Sequence, residues 1–253
     1  MSKSISPIKT HRFSKGKLLR EDDLIVVEEP LEIRLGFGEV DNRVERSLVI
    51  TMRTPGNDFE LAAGFLFCEG IIEKKEDILS IKYCYTSGEE QEDDNVIRVE
   101  LRPDIEVDLS KNERHGFSHS GCGICGLTSI DSAFKLASGK VFSNEAEIDI
   151  NTISTLSEKA IQRQHNYRHT GGIHSASLFN CEGDFIDLLE DVGRHNALDK
   201  LIGKRLLDQE DSSGSSYILF LSGRMGFELV QKAAMADFCV IVSVGAPSSL
   251  AVD

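Results

Sequence analysis

Cys122 and Cys125 form a Cys-x-x-Cys pair inside Gly121-Cys122-Gly123-Ile124-Cys125-Gly126, and they are the residues best suited to do chemistry in this sequence. A thiolate is the reactive form of cysteine, and its pKa falls near a helix N-terminus. The pair precedes an expected helix at 128–137, whose first N–H groups and dipole favour an anion. Gly121, Gly123 and Gly126 let the backbone bend and leave the sulfurs accessible. Such a pair suits a cysteine that accepts, holds or transfers sulfur, or one that cycles through a disulfide. Two other chemistries compete for it. A thioredoxin-like redox pair needs a strand, the motif and a helix early in the fold, whereas a polar stretch at 102–119 comes first here. Zinc would take His115, His119, Cys122 and Cys125, four ligand types at tolerable spacing. Against zinc stand the lack of a second Cys-x-x-Cys and a glycine-rich loop more mobile than structural zinc sites. The remaining cysteines, Cys68, Cys84, Cys181 and Cys239, sit among apolar or mixed neighbours and read as packing.

Four further clusters carry ligand-binding residue types. Thr170-Gly171-Gly172-Ile173-His174 places paired glycines just before a strand, where a backbone can approach a ligand and His174 can bind or polarise it. The plain alternative is a tight turn with a hydrogen-bonded core histidine. Glu190-Asp191-Val192-Gly193-Arg194-His195-Asn196 joins a strand to a helix, where α/β folds bind ligands. Alternatively, Asn196 caps the helix and Asp191 pairs with Arg194. In Ser222-Gly223-Arg224, the small residues and the next helix N-terminus suit a phosphate, and Arg224 can bind one bidentately. Gly245-Ala246-Pro247-Ser248-Ser249 repeats the pattern after the last strand, with a serine helix cap as the plain alternative. Two adjacent strands ending in hydroxyl-bearing loops suggest a shared nucleotide or phosphate pocket. Lys200 and Lys232, on the following helices, read as surface charges. In the first half, Arg53-Thr54-Pro55-Gly56-Asn57-Asp58 is the comparable loop; a capped turn explains most of it.

These loops need elements to position them. Residues 1–20 are polar and basic and are expected to be poorly ordered. Leu24 to Leu35 reads as one strand broken or edged at Pro30, and 47–52, 78–86 and 96–101 as further strands. Phe59, Ala62, Ala63, Leu66 and Phe67 form an apolar helical face that ends at Gly70. The acidic run at 89–94 reads as a solvated hairpin loop, and 102–119 as a linker. Beyond it, Ile153, Leu156, Ala160 and Ile161 mark a helix. A hairpin at 173–179 and 185–189 precedes a helix at 196–207, a strand at 217–221, a helix at 228–237 and a strand at 239–244. Near-continuous apolar strands alternating with helices imply a partly parallel sheet covered on both faces. The chain therefore divides into a small α+β domain, 21–112, and an α/β domain, 113–253, preceded by the cysteine loop.

Composition bounds the function. The 253 residues carry 28 Lys+Arg and 42 Asp+Glu, a formal net charge of −14. That balance argues against nucleic acid as a partner, which needs a basic footprint. A chain of this length can bury roughly 70–75% of its unfolded surface, so a core needs no disulfide or metal. No apolar run approaches the ~20 residues needed to cross a bilayer, and the N-terminus has no apolar signal core, so the expected location is the cytoplasm, with no membrane partner.

Taken together, the segments resemble the FdhD family of formate dehydrogenase accessory sulfurtransferases. The resemblance is carried by Arg53-Thr-Pro-Gly-Asn-Asp, Glu60 to Ile72, Cys122-Gly-Ile-Cys125-Gly126, Thr170-Gly-Gly-Ile-His174, Glu190 to Lys200, Ser222-Gly-Arg, Glu228 to Met235 and Ala246 to Val252, in the family's order. It implies a sulfur carrier that takes persulfide sulfur from a cysteine desulfurase and passes it to the molybdenum bis(molybdopterin guanine dinucleotide) cofactor, with formate dehydrogenase as client. The cofactor is bound cargo, a guanine nucleotide is its simplest mimic, and no catalytic metal is implied. By position, Cys122 bears the persulfide and Cys125 is its partner. Gly171, Gly172, His174, Asp191, Arg194, His195, Ser222, Gly223, Arg224, Pro247, Ser248 and Ser249 are the residues expected to hold the guanine nucleotide ends. The resemblance also implies a homodimer and, for the second domain, a cytidine-deaminase-like three-layer α/β/α fold. The deaminase zinc signature is absent, so deamination is not carried over. Family members usually continue past the Ala-Pro-Ser-Ser segment into an Arg-containing aromatic motif, whereas this sequence ends at Asp253. A cofactor chaperone without chemistry of its own is the rival reading.

Overall fold

A computed structural model describes residues 4–85, 92–107, 148–209 and 214–253. Cys122, Cys125, His115, His119 and the helix expected at 128–137 lie outside these residues.

The first departure from expectation is at the N-terminus. Strands β1 (Ile5–Ser14) and β2 (Lys17–Val26) form an antiparallel hairpin where poor order was expected. The turn is Lys15-Gly16, with φ of 50° and 77°. Two consecutive positive φ values match the right-handed twist of the paired strands, which is why such turns close tight hairpins. The base of the hairpin is tied down where Ser4 Oγ donates to the Pro55 carbonyl at 2.9 Å.

A four-stranded sheet follows, built from β3 (Glu29–Phe37), β4 (Val44–Arg53), β5 (Ile78–Tyr85) and β6 (Glu92–Leu101) in the order β4-β3-β6-β5. The single strand expected over 24–35 is thus two strands, ending at Val26 and restarting at Glu29. Pro30 pairs with Met52 of β4, and β6 joins β3 only from Glu32 onward. The proline therefore sits where β3 has a neighbour on one side, so its missing N–H breaks no ladder. Leu31, Ile33 and Leu35 alternate onto one face with Ile97, Val99 and Leu101. That face is covered by Leu61, Ala62 and Leu66 of helix α1 (Asp58–Cys68). The opposite face carries ion pairs, among them Arg43–Glu100 at 2.6 Å and Arg98–Glu45 at 2.8 Å.

The second sheet holds β7 (His174–Asn180), β8 (Phe185–Asp191), β9 (Tyr217–Leu221) and β10 (Val240–Ser243) in the order β10-β9-β7-β8. β10 runs parallel to β9, while β7 is antiparallel to β9 and β8. Helices α2 (Ile150–Arg163), α3 (His165–Thr170), α4 (Arg194–Asp208), α5 (Phe227–Met235) and α6 (Ser249–Val252) complete the described residues. Strand periodicity divides the core. Ala176, Leu178, Leu219 and Leu221 pack with Leu198 and Leu201 of α4 and Leu229 of α5. Phe179, Ile218 and Phe220 pack with Leu156 and Ala160 of α2 on the other side. The result is a mixed α/β fold with a sheet covered on both faces. Short α3 is an element the sequence pattern does not reveal.

The two sheets are joined helix to helix. A methyl group on Gly64 of α1 would overlap the Asp199 carbonyl of α4, and one on Gly203 would overlap the Glu60 carbonyl. Only glycine lets the two backbones come this close.

Candidate functional site

Strand order decides which loops can meet. Because β7 is antiparallel to its neighbours, its first residue lies beside the last residues of β8 and β9: His174 pairs with Asp191, and Ala176 with Leu221. Parallel β10 ends at the same level, Ser243 beside Leu221. The stretches 171–174, 191–195, 222–224 and 245–249 therefore gather at one end of the sheet. These are the four loops whose composition pointed to a ligand.

Their backbones are laced together. Ser222 N–H donates to the Ser175 carbonyl, Gly245 N–H to Gly223, and Ser248 N–H to Met225, at 3.0–3.1 Å. A methyl on Gly223 would come within 3.1 Å of the His174 ring and 3.6 Å of Arg194 Cδ, and one on Gly245 within 2.6 Å of Arg224 Cα. The glycines let the four loops touch.

A cavity of about 410 Å³ opens at this end, within the usual range for a small-molecule site. Its rim is Gly171, Gly172 and His174; Phe220, Ser222 and Val244 come from the sheet side; Ile161 comes from α2, Tyr167 from α3 and Gln164 from the residue between them. No carboxylate is among these described lining residues. Gly171 ends α3 with φ of 64°, a left-handed conformation suited to glycine. The imidazole of His174 is held below its ordinary pKa by burial and by Arg194, reinforced by His195 and opposed by Asp191. His174 is therefore uncharged near neutrality. Arg194 Nε is buried beside this end of the sheet with no hydrogen-bond partner among the described residues, and Arg194 is not one of the cavity's described lining residues. Arg224, Pro247, Ser248 and Ser249 are exposed. The Ser248 hydroxyl accepts from Ala251 N–H at 3.3 Å, so the helix-cap reading holds for that residue.

Other expected contacts are committed inside the protein. Asp191 is fully buried. Its Oδ2 meets Lys200 Nζ at 2.7 Å and accepts from Thr54 N–H at 3.1 Å; its Oδ1 accepts from Gly193 N–H at 2.8 Å and Asn196 Nδ2 at 3.3 Å. Asp191 thus positions the loop, and its partner is Lys200, where Arg194 was the alternative. His195 Nε2 lies 2.9 Å from Glu228 Oε2, clamping the first turn of α4 to that of α5. The cap position of α4 is Gly193, and Asn196 reaches instead to the Met52 carbonyl at 2.8 Å. Lys200 and Lys232 correct the surface-charge reading, because both are buried. Lys232 Nζ is bonded to both Asp199 oxygens at 2.6 and 2.7 Å. Arg53, in the comparable loop of the first half, is buried and bound twice to Asp58 at 3.1 Å. Thr54 is a link that sequence alone does not reveal. Its carbonyl accepts from Lys200 Nζ at 2.8 Å and its Oγ1 from Val192 N–H at 3.1 Å, stitching the β4–α1 turn to the ligand loop. Tyr167 lies on short, polar α3 and Gln164 just before it, so no apolar periodicity marks either in the sequence. Among the described residues, no cluster of three or more His, Cys, Asp or Glu side chains is placed to hold a metal. No described helix is long and apolar enough to cross a membrane.

The family model for the FdhD/NarQ family matches residues 26–253. The chain belongs to that family. It is 40% identical over 247 residues to "Sulfur carrier protein FdhD" of Streptomyces coelicolor, covering 97% of this chain and 84% of that one. The protein of the same name from Thermoplasma volcanium is 41% identical over 235 residues, covering 93% and 81%. A crystal structure of a putative formate dehydrogenase accessory protein from Desulfotalea psychrophila superposes with a TM-score of 0.70 at 23% identity, over 98% of this chain and 87% of that one. Membership in the FdhD/NarQ family and this shared fold agree with the resemblance stated above. The match begins at residue 26, so it takes in both sheets and leaves out most of the β1–β2 hairpin.

Proposed function

We propose that this protein is a sulfur carrier in formate dehydrogenase maturation, moving persulfide sulfur from a cysteine desulfurase to the molybdenum bis(molybdopterin guanine dinucleotide) cofactor. The observation that carries the reading is about 40% identity, over nearly the whole chain, to relatives named as sulfur carriers. The chemistry falls to Cys122. Its thiolate attacks the outer sulfur of the donor's persulfide, the donor's S–S bond breaks, and the donor leaves as a thiolate. Cys122 is left as a persulfide. Attack by the Cys125 thiolate on Cys122 Sγ would release that sulfur as hydrosulfide and leave a Cys122–Cys125 disulfide, which a cellular thiol must then reduce. The cavity at the sheet end holds a nucleotide end of the cofactor. Its glycine backbones, and the absence of carboxylates among its described lining residues, suit a phosphate-rich ligand on a chain of net charge −14. The protein acts in the cytoplasm as a homodimer. Formate dehydrogenase activity in cells lacking their own accessory protein tests this against the chaperone reading. Cys122→Ala fails to restore activity if sulfur transfer is the function, and restores it if binding alone suffices.

A further inference from the structure

A chain of hydrogen bonds runs under the cavity. Gln164 Nε2 donates to Ser175 Oγ at 2.7 Å, Ser175 N–H donates to Ser222 Oγ at 2.8 Å, and Ser222 Oγ lies 3.4 Å from His174 Nδ1. Ser222 Oγ accepts from the Ser175 N–H, and when its single O–H donates to His174 Nδ1 both groups are satisfied by partners among the described residues. Nδ1 then carries no proton, and a neutral imidazole must hold its proton on Nε2. Nε2 has no hydrogen-bond partner among the described residues, and His174 lines the cavity. The ring itself is wedged against Gly223, where a methyl would come within 3.1 Å of Nδ1 and Cε1.

We propose that Ser222 is a positioning residue that locks His174 as its neutral Nε2–H tautomer, so that the cavity offers its ligand a fixed donor and selects an oxygen acceptor at that point. The ligand half of this rests on the nucleotide reading above; the tautomer half does not. The acceptor is a phosphate or carbonyl oxygen, and a ligand that presents an N–H there is rejected because it would leave two donors facing each other.

Two-bond nitrogen–proton correlation spectra of protein labelled in its histidine nitrogens distinguish the tautomers, with His174 assigned by loss of its signal in His174→Gln. The wild type is expected to show protonated Nε2 and bare Nδ1 at pH 7. Ser222→Ala is expected to mix the tautomers, and Ser222→Thr, which keeps the hydroxyl, to retain the single form. Calorimetry with guanosine diphosphate is expected to show binding about 3- to 10-fold weaker in Ser222→Ala, the size of one net hydrogen bond. A wild-type ring protonated on Nδ1, or on both nitrogens, overturns the proposal. So does a Ser222→Ala spectrum identical to wild type in protein whose melting curve shows it folded. If the spectra behave as expected but the nucleotide binds neither protein, the tautomer stands and the ligand assignment falls.

Discussion

Lys200 Nζ and Asp191 Oδ2 lie 2.7 Å apart with both side chains buried, and the Thr54 backbone contacts each of them. The first sheet therefore reaches the ligand loop of the second through a buried ion pair. Two charges removed from water survive together because every remaining donor and acceptor around them is used.

Breaking that pair from one side leaves a charge uncompensated. Lys200→Met is expected to destabilise the protein by about 3–5 kcal/mol, measured by chemical denaturation. Replacing both partners, as Lys200→Met with Asp191→Leu, is expected to recover part of the loss. Equal loss in the single and double variants would show that the pair is not the source.

Helix contact through glycine gives a second expectation. Gly203→Ala pushes a methyl into the Glu60 carbonyl, a backbone atom that cannot swing aside. The expected cost is about 1–3 kcal/mol, a fall in Tm of several degrees for a chain of this size. An unchanged Tm would mean that α1 and α4 pack less closely than described.

His174 sets a pH dependence. Burial, Arg194 and His195 outweigh Asp191 and hold its folded pKa below the unfolded value near 6.5. Between those two values the folded state binds fewer protons than the unfolded state, so stability rises with pH there. This contribution is complete above pH ~6.5 and is lost as pH falls through the folded pKa. His174→Gln should lose that part of the acid sensitivity in melting curves from pH 5 to 8, and an identical profile would remove His174 as its source.

The cysteines should react in order. Burial pushes the Cys68 thiol well above its ordinary pKa, with Asp199 adding to the shift and Lys232 opposing it. Cys84 and Cys239 are also raised, mainly by burial. Alkylation of the folded protein at pH 7 is expected at Cys122 and Cys125 first and at Cys68 only on unfolding. Peptide mapping that finds native Cys68 labelled early would contradict this.

Much of the scaffold was legible in the sequence because it follows periodicity. The run 217–221 is apolar throughout and became β9 as read, and the helix read at 196–207 became α4 starting two residues earlier. The site loops were legible because glycine, arginine and hydroxyl residues repeat at strand ends, where sheet order later brought them together. Partnership was not legible. Lys200 and Asp191 are nine residues apart, and nothing in one dimension shows that a helix turn buries the amine on that carboxylate. Arg194 looked like the partner because it is nearer in sequence. The hairpin was overlooked for a different reason: basic composition suggested disorder, while the decisive signal was one Lys15-Gly16 turn between two runs of β-compatible length. Close approaches such as Gly64 to Asp199 leave only a glycine as trace, and a glycine within a helix is ambiguous until its neighbour is known.

The most direct measurement mixes the protein with a cysteine desulfurase and cysteine, then weighs it intact under non-reducing conditions. The expected result is a gain of one sulfur atom that maps to Cys122, disappears in Cys122→Ala and is released by reductant. A protein that gains no sulfur on either Cys122 or Cys125, while carrying one zinc per chain that is lost when His115 or His119 is replaced, would contradict sulfur transfer and leave the motif as a metal site.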